Sequence, residues 1–119
     1  MIVLWLPVVA WMCAIYYGSA MSSVPGPVAA LSDTVLHMSG YAGLAVLTLR
    51  ATARGKWAGI TIGALATALF IATVHGLSVE WLQMYVPTRY AEWRDVGNDV
   101  IGALHGLIPV WAWSKIRSE

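Results

Sequence analysis

The sequence predicts an all-α fold, a membrane-embedded four-helix bundle with both termini on the cytoplasmic side, and three observations lead there. Of 119 residues, 59% are hydrophobic and only 11% are charged, whereas soluble domains carry charge on about a quarter of their residues. The apolar residues gather into four stretches separated by Pro, Gly or charged breaks. Crossing the hydrocarbon core takes about 20 apolar residues, so this length holds four helices with short connections, in one domain over residues 1–119. Finally, Lys and Arg fall mostly on one side of those stretches, which sets the orientation.

The first stretch runs from about Ile2 to Gly18 and carries Pro7. A cleaved secretory signal has a basic segment ahead of its apolar run, and no Lys or Arg precedes this one, so a retained first helix is expected. Val24-Pro25-Gly26-Pro27 breaks it. The second stretch spans about Leu31 to Leu49, with Ser32 placed to cap its N-terminus and Arg50 marking its end. A tight basic loop, A-T-A-R-G-K, follows. The third begins near Trp57 and continues to about Val86, roughly 45 Å of helix against ~30 Å of hydrocarbon, so its last turns reach the far interface. Pro87 ends it. T-R-Y-A-E-W-R then connects to a fourth helix over about Asp95 to Trp113, and the tail S-K-I-R-S-E is mostly basic.

With the N-terminus inside, Arg50, Arg54, Lys56, Lys115 and Arg117 are cytoplasmic, while only Arg89 and Arg94 lie outside. Trp57, Trp111 and Trp113 then fall at the inner interface and Trp93 at the outer one, as an aromatic belt requires. Trp11 sits too deep for the belt and is read as packing. Cys13 is the only cysteine, which rules out an intramolecular disulfide, and it is read as a small buried apolar residue. The formal net charge of +1 and the lack of a basic tract give no reason to expect nucleic acid as a partner.

This arrangement brings polar residues from three distant parts of the chain to one leaflet. Asp33 and His37 open helix two, Glu80 and Gln83 close helix three, and Asp95, Asn98 and Asp99 open helix four. Asp33 and His37 lie one turn apart on a face continued by Gly40 and Leu44. Gly76 shares a stripe with Glu80 and Gln83, and Gly102 and Gly106 extend the stripe of Asp95, Asn98 and Asp99. Small residues beneath polar ones suit a close helix contact in lipid, where packing and interhelical hydrogen bonds hold the bundle. Ionised carboxylates at the hydrocarbon edge pair or take up a proton, and Arg89 and Arg94 are placed to pair with Glu80, Asp95 or Asp33. His75 lies about 140° around its helix from Glu80, and His105 lies roughly 10 Å deeper than Asn98, so both are read as core polar residues.

The residues of this cluster resemble the VanZ-like family of bacterial membrane proteins. The likeness rests on Asp33-x-x-x-His37 opening a helix, on Glu80-Trp81-Leu82-Gln83 followed by Val86-Pro87-Thr88-Arg89, and on Asp95-x-x-x-Asp99 with Asn98 and Gly102. It covers about Asp33 to Gly106. Thr34 departs from the pattern, since the family often has Lys after the Asp, which counts against any mechanism that needs a lysine here. The family takes its name from a member associated with resistance to the glycopeptide teicoplanin. The resemblance therefore implies a multi-pass protein of the bacterial inner membrane with a role in the cell envelope or in glycopeptide resistance.

The expected function is binding: an outward-facing cluster of Asp33, His37, Glu80, Gln83, Arg89, Asp95, Asn98 and Asp99 takes a lipid headgroup, a lipid-linked cell-wall precursor or an amphiphilic antibiotic. The alternative is an intramembrane enzyme in which Glu80 or the Asp33-His37 pair acts as general acid or base on a lipid-linked substrate. A proton or metal site is a third reading, although no metal-ligand spacing is present, and no cofactor or metal is called for. Ser-His-Asp order, a Gly-rich phosphate loop, a Cys-His dyad and H-E-x-x-H are all missing, which removes the usual hydrolytic and nucleotide-dependent mechanisms. Four helices are too few for an alternating-access transporter unless copies assemble, and a homo-oligomer is compatible with the sequence.

Overall fold

A computed structural model describes residues 2–20, 33–85 and 93–116. Among these the chain forms helices α1 (Ile2–Ala20), α2 (Asp33–Thr52), α3 (Ile62–Gln83) and α4 (Trp93–Ile116), and no strand. At 1.5 Å per residue they run from about 28 to about 36 Å, each close to the thickness of a hydrocarbon core. The molecule measures 50 × 26 × 26 Å along its principal axes.

The elements match the expected order but not every boundary. Helix three begins at Ile62, five residues after Trp57, because the intervening backbone cannot stay helical. Arg54, Gly55 and Gly59 all take positive φ, at 57°, 79° and 60°, a region that favours glycine. Thr61 then caps the helix, its side chain accepting from the Ala64 amide at 3.1 Å. The third helix is thereby about 33 Å long, and Glu80 stands in its last turn. Arg50 does not end α2, which continues to Thr52, and α4 extends beyond the expected span to Trp93 and Ile116. Ser32, Val86 and Pro87 lie outside the described residues.

Helix α2 is the hub, packing on α1, α3 and α4, while α1 also meets α3 and stands clear of α4. Its closest approach is to α4, where the two run parallel. A Cβ at Gly102 would stand 2.6 Å from Met38 Cα, and one at Gly106 would stand 2.7 Å from the Ala42 carbonyl oxygen. Gly102-x-x-x-Gly106 is thus the small-residue face that lets two backbones touch. On the other flank, Trp11 donates to the Gly40 carbonyl at 2.8 Å and lies over Gly43. Its reading as a packing residue holds.

At the end opposite the polar cluster, the loop over residues 53–61 is tied to α4 through Ser114. The Gly59 amide donates to the Ser114 carbonyl at 3.0 Å, and the Ile60 amide donates to Ser114 Oγ at 3.3 Å. The core between the helices holds Val8, Leu44, Ala45, Leu49, Ala68, Ala72, Ala103 and Leu107. Polar groups are buried with them, namely Thr48, His75, Glu80, Gln83, Asp99 and Ser114, while Ile2, Val3, Leu6, Phe70, Trp81, Ile108 and Ile116 are exposed. Cys13 and His105, both read as buried, are exposed on the outer faces of α1 and α4. His105 satisfies its Nδ1–H on the Ile101 carbonyl of its own helix, at 2.8 Å, so it needs no core partner.

Candidate functional site: a polar cluster at one end of the bundle

The α2, α3 and α4 ends converge as the spacing predicts. His37 lies one turn into α2, Glu80 in the last turn of α3, and Asp95 in the first turn of α4, where its charge also suits the helix dipole. A ring nitrogen of His37 and one carboxylate oxygen each from Glu80 and Asp95 all lie within 4.8 Å of one another. Glu80 is buried, and the other two are half-buried. Gln83, one turn beyond Glu80, is buried, and Asn98, one turn beyond Asp95, is half-buried.

Asp99 forms the floor of the site. Its side chain is 1% exposed, and Oδ1 accepts from His37 Nδ1–H at 2.6 Å. Among the described residues the carboxylate that meets His37 is Asp99 of α4, while the Asp33–His37 pair that the spacing suggests rests on a side chain outside them. The side chain of Asp33 and the whole of Arg89 lie outside the described residues, so the expected Glu80–Arg89 pair does too. Oδ2 of Asp99 is buried with no hydrogen-bond partner among the described residues. It rests against Gly76, where a Cβ would come within 2.7 Å. The glycine on α3 makes room for a carboxylate on α4.

Below the cluster runs a chain of hydrogen bonds that spacing alone did not reveal. His75 Nε2 faces the Met12 carbonyl at 3.3 Å, which can only accept, so in the neutral ring Nε2 carries the proton. Nδ1 then accepts the Tyr41 hydroxyl at 2.8 Å. Ser78 Oγ donates to the His75 carbonyl at 2.6 Å, leaving its lone pairs to accept from Tyr16 at 2.5 Å. The rings of Tyr16 and Tyr41 flank that of His75, with centroids 4.4 and 5.5 Å away. His75 is thus a satisfied core histidine, as expected. The available signal for Tyr41 is its place four residues after His37 on α2, which puts both on one face.

The chemistry available at the top of the bundle follows. Among His37, Glu80, Asp95 and Asp99 there are three carboxyls and one imidazole, with Gln83 and Asn98 beside them. Such a set accepts hydrogen bonds and cations. With Nδ1–H committed to Asp99, Nε2 is the nitrogen of His37 left to accept a proton or a ligand. Comparison of the chain with protein-family models, with curated proteins and with solved structures finds no match.

Proposed function

We propose that this chain is a small VanZ-like protein of the bacterial inner membrane, crossing it four times with both termini inside. Its outward-facing polar cluster binds the headgroup of an envelope lipid, a lipid-linked cell-wall precursor or an amphiphilic glycopeptide. The reading is carried by one observation: the bundle buries Glu80, Gln83 and Asp99 from two helices at the same end, where His37 and Asp95 join them. Ionisable groups held inside an apolar bundle mark binding or proton sites more often than they mark ordinary surface.

The membrane setting is supported by the inversion of the usual polarity. Polar side chains lie inside while Leu6, Phe70, Trp81 and Ile108 lie outside, an arrangement that leaves large apolar patches if the surroundings are water. Two helices, over Ile2–Ser19 and Ile62–Gln83, are long and apolar enough to cross a membrane. Near the other end, Lys115 Nζ lies 5.4 Å from the Trp111 ring centroid, a cation and an aromatic suited to an interface.

The acid-rich donor set favours headgroups that offer ammonium or hydroxyl groups. Native mass spectrometry tests this. The purified chain should retain an amine-bearing or glycosylated lipid, and the double variant Glu80→Gln/Asp95→Asn should lose it while staying folded. Equal retention by both proteins rejects the reading. A second reading, acid/base chemistry on such a lipid, is favoured by the His37–Asp99 pair at 2.6 Å, which orients an imidazole as a base is oriented. Turnover of a lipid-linked precursor that is lost in His37→Gln supports the enzyme, and no turnover rejects it.

A further inference from the structure

We infer that His37, Glu80 and Asp95 form a binding site for one divalent first-row transition-metal ion, with Asp99 positioning the imidazole. The donors come from three helices, which is why no spacing motif announces them. One ring nitrogen of His37 and a carboxylate oxygen from each acid lie within 4.8 Å of one another, and with Nδ1 held by Asp99 the ring presents Nε2 to an ion. Ligands of a tetrahedral ion at about 2.1 Å stand roughly 3.4 Å apart, so small side-chain rotations close the site. The imidazole suits Zn²⁺ and the two carboxylate oxygens suit Zn²⁺ or the harder Mn²⁺, and three protein donors leave at least one coordination position for water or a substrate oxygen.

Two further observations point to a cation. Metal-bound histidines regularly donate the other ring N–H to a carboxylate, which fixes the tautomer and raises ligand basicity. His37 does this through Nδ1 to Asp99 at 2.6 Å. Independently, Asp99 is 1% exposed with Oδ2 lacking a hydrogen-bond partner among the described residues. A carboxyl buried in this way pairs with positive charge or takes up a proton, and a dication in the adjoining cluster, on the His37 side of Asp99, offers the first of these.

This inference goes beyond the headgroup reading and does not depend on it, since the three side chains can hold an ion with no lipid present. The full chain, purified in detergent and stripped with a chelator, is titrated with Zn²⁺ and separately with Mn²⁺. Bound ion is measured by elemental mass spectrometry and, for Mn²⁺, by electron paramagnetic resonance. About one ion per chain is expected. His37→Ala and Asp95→Asn should each weaken binding by more than roughly 100-fold, and Asp99→Ala, which removes the acceptor of the positioning bond, by about 10- to 100-fold. His105→Ala, on an exposed histidine of α4, should leave affinity unchanged.

Wild-type protein that holds less than about a tenth of an equivalent of either ion overturns the site, and this result needs no variant to fold. A loss in His105→Ala as large as in His37→Ala also overturns it. Metal bound without lipid retention keeps this inference and removes the headgroup reading, while a protein that takes up neither ion yet retains lipid does the reverse.

Discussion

Gly102→Ala should weaken the bundle at its closest seam. The added methyl would stand 2.6 Å from Met38 Cα and 2.9 Å from the Met38 carbonyl carbon. Both are backbone atoms, so no rotamer change relieves the clash. Reaching an ordinary carbon–carbon separation of about 3.6 Å means moving α4 off α2 by roughly 1 Å. Overpacking of this kind costs about 1–3 kcal/mol, and the helix preference of Ala over Gly returns up to about 1 kcal/mol. A net loss of about 1–2 kcal/mol is expected, around a tenfold shift in the folding equilibrium. Gly97→Ala is the control, because nothing lies within 4 Å of its added methyl, and it should gain about 0.5–1 kcal/mol. Steric trapping in bicelles measures both. Identical effects of the two substitutions, or a Gly102→Ala protein as stable as wild type, would refute the parallel α2–α4 seam.

Three other substitutions probe the surroundings of the site. Gly76→Ala brings a methyl within 2.7 Å of Asp99 Oδ2 and should cost about 1–2 kcal/mol; in a double-mutant cycle with Asp99→Ser the losses should be clearly less than additive, and strict additivity would separate the two residues. Tyr41→Phe removes the hydrogen bond to His75 Nδ1 and should cost about 0.5–1.5 kcal/mol by the same unfolding assay, with no change indicating that another donor serves that nitrogen. Gly59→Ala forces a side chain into φ 60° and should cost about 1–2 kcal/mol while leaving metal and lipid binding at the far end intact; a change in binding would contradict the separation of the two ends.

Much of this architecture was legible in the residues because the apolar stretches are long and their breaks strong. Pro and Gly separate the first two helices in sequence, and Gly102 with Gly106 mark a close helix contact without specifying its partner. The start of α3 was not legible, since Trp57 to Ile60 are as apolar as the helix that follows; the left-handed backbone at Gly59 and the Thr61 cap decide it. For the site, the meeting of His37, Glu80 and Asp95 followed from the helix ends that the topology brings to one end of the bundle. The bond from His37 to Asp99 did not. An Asp one turn away on the same helix is the nearest candidate by spacing, whereas the bond to Asp99 depends on how α4 is rotated and on the room Gly76 leaves. His75 and His105 show the same limit, because helical phase separates His75 from Glu80 and depth separates His105 from Asn98, but neither says which histidine is covered by a neighbour. His75 is roofed by Tyr16 and Tyr41, and His105 faces outward.

The proposed function requires the polar cluster to face the outside of the cell, and labelling from one side tests this. In a Cys13→Ser background, which removes the only cysteine, single cysteines replace Asp95 at the cluster and Arg54 in the loop at the far end. A membrane-impermeant maleimide added to intact cells whose outer barrier has been opened should label the Asp95→Cys protein, and the Arg54→Cys protein only after the inner membrane is permeabilised. Labelling of Arg54→Cys before permeabilisation, with Asp95→Cys protected until then, would place the cluster in the cytoplasm and contradict the account.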